Sequence, residues 1–162
     1  MVVSHSAAWA LRQHHRCKPD DVIRAVVETG GTMGITNVPA FLGGRGDISA
    51  LLDHVDYVAK TFGVDHVTIG TDRAYVSSSA ARENDKLPPR APQRARWEAL
   101  WEPNDAVRDP KWRQERQEQS LKWTNWPLFT VGLVQRGYSD EDIFKIVGGN
   151  FVRVMRDVRP TT

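Results

Sequence analysis

Two kinds of apolar run alternate along this chain. Met1 to Ser4, Thr32 to Val38 and His66 to Asp72 are short and rich in β-branched residues, and they read as strands. Between them the apolar residues recur at helical spacing. Pro19-Asp20-Asp21 opens the first helix, with acids opposing the positive end of the dipole, and Val22, Ile23, Val26 and Val27 form its stripe before Gly30-Gly31. The clearest helix spans Asp47 to Phe62, where Ile48, Leu51, Leu52, Val55, Val58, Ala59 and Phe62 share one face and Gly63 stops the run. Three strands with two intervening helices make βαβαβ and predict an α/β fold with a mostly parallel sheet.

Regularity returns near the C-terminus. Trp126 to Arg136 is helical, and Ser139-Asp140-Glu141-Asp142 is a capping signature ahead of Ile143, Ile146 and Val147. Gly148-Gly149 interrupts, Asn150 is placed to cap, and Phe151 to Val158 forms the last helix. The stretch from Ser77 to Lys122 differs: it holds ten Lys/Arg, eight Asp/Glu, five of the nine prolines and three of the six tryptophans. It is too polar for a core layer and too rich in tryptophan for a linker, so it reads as a surface excursion, a lid or an interface element, with short helices around Ala91 to Trp101 and Pro110 to Lys122. The chain therefore divides into strands and helices over 1–76, the excursion over 77–122 and C-terminal helices over 123–162.

Composition narrows the classes. Twenty-two Lys+Arg against 20 Asp+Glu leave a net charge of +2, which sets up no strong field for nucleic acid or anionic lipid. Cys17 is the single cysteine, no apolar run reaches membrane-span length, and MVVSHSAAWA lacks a signal peptide's pattern, so a reducing cytoplasm is the expected setting. A complete (β/α)₈ barrel takes roughly 200 residues or more, beyond the 162 here.

Individual residues suggest chemistry without deciding it. His5 follows the first strand and Asp72 ends the third, the positions from which barrel folds project site residues. His5 suits a metal ligand or a hydrogen-bonded strand end, and Asp72 a ligand, a proton carrier or a turn cap. Arg16 suits a fork on a carboxylate or a solvated loop cation. His14 and His15 are adjacent, point apart and read as surface, while His54 and His66 read as structural.

The order of three longer motifs says more. SHSAAWALRQHHRCKPDDVIRAVVETGG, LLDHVDYVAKTFGVDHVTIGTD and LVQRGYSDEDIFKIVGGNFVRVMRDV resemble, in sequence, segments of the renal or membrane dipeptidase family (peptidase family M19). The resemblance leaves out only about residues 74–122. It implies the last three βα units of a TIM-barrel-like metallohydrolase fold, with a helical insertion and C-terminal helices. It implies that His5 ligates one of two zinc ions, that Arg16 holds the terminal carboxylate of a dipeptide substrate, and that Asp72 handles the proton of a metal-bridging water.

Departures matter too. The family's G-[ST]-D-F-D-G continues here as Gly70-Thr71-Asp72-Arg73-Ala74-Tyr75, without the second acid or the glycine turn. The family's other zinc ligands lie upstream of the SHS motif. A zinc dipeptidase portion that needs the missing N-terminal half is therefore expected. The alternative is a non-catalytic remnant acting as a structural or oligomerisation module, and a homo-oligomer is the expected state where a sheet edge stays open. Neither nucleic acid nor membrane is an expected partner.

Overall fold

A computed structural model describes residues 1–73, 77, 79–86 and 101–159. Strands β1 (Val2–Ser6), β2 (Thr32–Ile35) and β3 (Val67–Ile69) form a parallel sheet in that order, with Met33 opposite Val3 on one side and Val67 on the other. The alternation into a parallel α/β unit is as expected, but each strand boundary moves. β1 runs on to Ser6, so His5 lies inside it, at a bulge between Val3 and Ser6. β2 stops at Ile35 rather than Val38, and β3 is three residues long, with His66 in the preceding 3₁₀ turn, Val64–His66. Beyond these ends hydrogen bonding continues off the ladder: Thr36 N–H donates to Ser6 C=O at 2.8 Å and Asn37 N–H to Thr71 C=O at 3.2 Å.

Helix α1 (Asp20–Glu28) buries Ile23 and Val26, whereas Val22, expected on the stripe, is exposed. A short helix α2 (Pro39–Leu42), not foreseen, begins where proline has no N–H for a strand to use. Helix α3 (Ile48–Phe62) is capped by Asp47, whose carboxylate accepts from Ser49 N–H at 3.0 Å. Its Leu51, Val55 and Val58 pack with Met33, Ile35 and Val67 of the sheet and with Phe129 and Leu133 of α6 (Trp126–Gln135). Each such buried side chain contributes about 1.5–3 kcal/mol.

The excursion contains α4 (Ala80–Asp85) and α5 (Glu115–Ser120); of the expected Ala91 to Trp101 helix, residues 91–100 lie outside those described. The Pro110 to Lys122 helix is in fact a 3₁₀ turn, Pro110–Trp112, followed by α5. Nor is this stretch merely superficial. Leu121 is fully buried in the main core, and Arg116 meets the fully buried Asp47 carboxylate at 2.6 Å. Gln117 Nε2 donates to Arg45 C=O, and Asn37 Nδ2 donates to Leu121 C=O. Polar side chains supply the docking that apolar density did not forecast. A second apolar cluster joins Ala7, Cys17, Ala40 and Phe41 to Trp101, Val107 and Trp112.

Ser139 caps α7 (Asp140–Phe144) as its motif requires, accepting from Asp142 N–H. A wider turn, Lys145–Gly149, leads into α8 (Asn150–Asp157). Asn150 does not cap this helix. Its buried amide donates to the carbonyls of Val64 (2.7 Å) and Val67 (2.8 Å), pinning the start of α8 to the start of β3. Among the described residues no helix is long and apolar enough to cross a membrane.

Candidate functional site

The C-terminal ends of parallel strands share one rim, and the two strand-end residues singled out in the sequence meet there. His5 Nε2 lies 3.7 Å from Asp72 Oδ1, with both side chains a little over one third exposed. Backbone packing causes the meeting. His5 keeps the alternation of β1, sharing its half-buried face with Val3. Gly70, just after β3, lies so close to β1 that a Cβ there would overlap the Ser4 carbonyl. Only glycine allows that approach across the rim. On the other side, Ser4 Oγ and His5 Nδ1 share a hydrogen bond of 2.9 Å, which leaves Nε2 toward Asp72. Asp72 itself is left-handed (φ 51°), a conformation that aspartate tolerates better than most residues. Arg73 closes the turn, its Nη2 donating to Asn37 C=O at 3.1 Å.

A cleft of about 370 Å³ opens beside Asp72 and Arg73. Val38 and Pro39 form part of its wall, and Trp112 and Arg113 of the excursion form another. Neither His5 nor Arg16 lines it.

Arg16 sits in the loop after β1. Its carbonyl accepts from Ser6 Oγ–H at 2.7 Å, and its N–H donates to His14 Nδ1 at 3.2 Å. The guanidinium carbon lies 5.7 Å from the Phe41 ring centre and 5.9 Å from that of Trp101. The two ring centres are 5.6 Å apart, so both rings lie to one side of the guanidinium, within cation–π range.

His14 and His15 correct the expectation of a surface pair pointing apart: the rings stack, with centres 4.3 Å apart, and His14 is buried. Both face Asp105, with His14 Nε2 3.3 Å from Oδ1 and His15 Nδ1 3.7 Å from Oδ2. The three side chains offer ligand-type atoms within 4.8 Å of one another. However, His14 Nδ1 accepts from Arg16 N–H, so in the neutral ring Nε2 carries the proton and donates it to Asp105. Burial pushes the His14 pKa down, which keeps the ring in that neutral form. Asp105, Trp101 and Phe41 are candidate-site neighbours that the sequence did not reveal; the tryptophan-rich excursion was the only signal for Asp105 and Trp101, and Phe41, in α2, gave none.

The remaining candidates are structural. His54 is buried, accepting from Ala8 N–H at Nδ1 (3.0 Å) and donating from Nε2 to Leu42 C=O (2.9 Å). His66 Nδ1 bonds to Gly31 C=O at 2.8 Å. Burial raises the Cys17 thiol pKa to about 11, so it stays protonated and inert.

Residues 1–81 match the model of the membrane dipeptidase family (peptidase family M19). Over 161 residues the chain is 26% identical to dipeptidase tcpJ of Claviceps purpurea (strain 20.1), covering 98% of this chain and 29% of that protein. Over 162 residues it is 27% identical to dipeptidase aclJ of Aspergillus oryzae, covering 98% and 30% respectively. In fold it is similar to a metallopeptidase from Rhodobacter sphaeroides solved with a phosphinate mimic of the dipeptide L-Ala-D-Ala. That likeness has a TM-score of 0.60 at 19% identity, over 96% of this chain and 35% of the other. The chain thus spans under one third of the length of these two curated relatives.

Proposed function

The chain belongs to the membrane dipeptidase family (peptidase family M19), and from that premise we propose that it supplies the C-terminal part of a zinc-dependent dipeptidase. The observation that carries this reading is the meeting of His5 and Asp72, from the first and third strands, at one rim of a parallel sheet. One imidazole and one carboxylate at 3.7 Å fit as two donors toward a divalent cation. A catalytic zinc takes three protein ligands, so the other donors belong to the rest of the enzyme. When bound, zinc supplies Lewis acidity and an activated water. Within this chain, Asp72 is placed to take and pass on a proton beside the cleft, and Arg16 offers two parallel N–H donors to a dipeptide's carboxylate.

The three strands are read as the last of a (β/α)₈ barrel. Two features support this: among the described residues β1 and β3 each have a ladder partner on one side only, and Val2, Trp126 and Phe151 line an open cleft near them. The same open edge favours a second reading, an oligomerisation module, for which light scattering would show a stable oligomer.

The catalytic reading is tested by combining this chain with the N-terminal two thirds of a dipeptidase relative and following dipeptide hydrolysis with added zinc. The isolated chain is expected to be inactive, and the combined assembly active in a manner abolished by Asp72→Asn. A co-purifying, folded assembly that hydrolyses nothing, or hydrolysis indifferent to Asp72→Asn, refutes it.

A further inference from the structure

The excursion returns to the body of the protein at one buried carboxylate. Asp105 accepts from Val107 N–H at 2.8 Å, which caps the turn Ala106–Arg108, and its side chain is only 4% exposed. Among the described residues its side-chain partners are imidazoles: His14 at 3.3 Å and His15 at 3.7 Å. Burial alone would raise the Asp105 pKa, but the Val107 and His14 hydrogen bonds outweigh it and hold the group below the ordinary value. The carboxylate therefore persists as an acceptor for His14 Nε2–H.

That bond reaches Arg16 in one step. The ring of His14, fixed at Nε2 by Asp105, presents Nδ1 to the Arg16 N–H. Four residues before Asp105, Trp101 of the same excursion lies beside Phe41 against the guanidinium, the two ring centres 5.6 Å apart, and its ring also packs against His14 and His15. Backbone and side chain of Arg16 are thus both held by contacts that originate 85 or more residues away in sequence. The outer edge of the guanidinium is left free of ion pairs with described residues.

We infer that Trp101 and Asp105 are positioning residues for Arg16, acting through His14 and the aromatic stack to aim its N–H fork at the free carboxylate of a short peptide. This rests on the role proposed above for Arg16. A misaimed bidentate fork loses both parallel bonds together, so the penalty falls on substrates that carry the carboxylate and spares those that lack it.

Two readouts test it. In the combined assembly, Asp105→Ala, His14→Ala and Trp101→Ala are each expected to raise KM for a free-acid dipeptide at least about tenfold with kcat little changed. KM for the corresponding dipeptide amide should stay as it was. The His14→Ala/Asp105→Ala double variant should be no worse than either single one, because both break one chain of contacts. Independently of any activity, NMR of the chain itself should show the Arg16 Nε–H resonance displaced by the two aromatic rings, and Asp105→Ala should move it back toward the free-arginine position. Equal losses on acid and amide, or an Arg16 resonance unmoved by both Asp105→Ala and Trp101→Ala, overturn the inference. The NMR result decides it even where the assembly fails to hydrolyse peptides.

Discussion

His54→Ala tests whether a histidine carries structure rather than chemistry here. The side chain is 1% exposed and spans two elements: the loop after β1 through Ala8, and the end of α2 through Leu42. Ala8 N–H can only donate, so Nδ1 accepts and the proton sits on Nε2, directed at the Leu42 carbonyl. Truncation leaves a buried N–H and a buried C=O unpaired, at about 1–3 kcal/mol each, and opens a cavity as well. We expect a loss of about 3–5 kcal/mol in urea unfolding followed by tryptophan fluorescence. His54→Asn, which keeps an acceptor near the Nδ1 position, should recover part of it.

The pH dependence gives a second check on the same site. Burial lowers the His54 pKa below its ordinary 6.5; the bond to Leu42 and the nearby Asp53 oppose that shift without reversing it. Below about pH 6.5 the unfolded chain takes up a proton that folded His54 refuses, so this group lowers stability as pH falls. Alanine has no such term. The gap between wild type and variant should therefore narrow on acidification, by at most about 1.4 kcal/mol per pH unit. His14, whose pKa is also lowered, is common to both proteins and cancels in the difference. A His54→Ala loss under about 1 kcal/mol, or a gap that widens in acid, refutes the reasoning.

Asn150→Asp sets a carboxylate against the carbonyls of Val64 and Val67 and should cost about 3 kcal/mol or more, read from the urea midpoint; a neutral result would mean that the two bonds do not hold α8. Gly70→Ala drives a Cβ into the Ser4 carbonyl and should lower stability by about 1–3 kcal/mol, while moving His5 away from Asp72. In Asp56, burial would raise the pKa, but hydrogen bonds from Lys60, Tyr138 and Arg136 reverse it and hold the carboxyl below 3.8. Its contribution is present above that value and lost as pH falls through the lower folded pKa, so Asp56→Asn should flatten the acid limb of the stability curve. An unchanged acid limb would count against this network.

Much of the frame was legible because it rests on local rules. The α3 stripe from Ile48 to Phe62, the acids at the start of α1 and the Ser139 cap all follow from spacing and end chemistry, and the structure reproduces them. Reading failed where distant groups set the outcome. Val22 satisfies the periodicity yet faces solvent, since no element covers that flank of α1 among the described residues. Asn150 has the side chain of a cap, but its backbone is already helical (φ −62°, ψ −42°), and its amide N–H donates to two carbonyls 83 and 86 residues away.

The candidate site divides along the same line. His5, Arg16 and Asp72 were visible as residue types at strand ends and in a motif order, and with them the parallel α/β alternation and the family. That His5 and Asp72 approach to 3.7 Å was decided by a glycine tight against the Ser4 carbonyl, which leaves no period in the sequence. That His14 turns inward to Asp105, and that Trp101 lies over Arg16, was decided by the path of a polar excursion. Hydrophobic spacing encodes which face of an element is buried. Which distant polar partner completes it depends on where the chain is brought back in three dimensions.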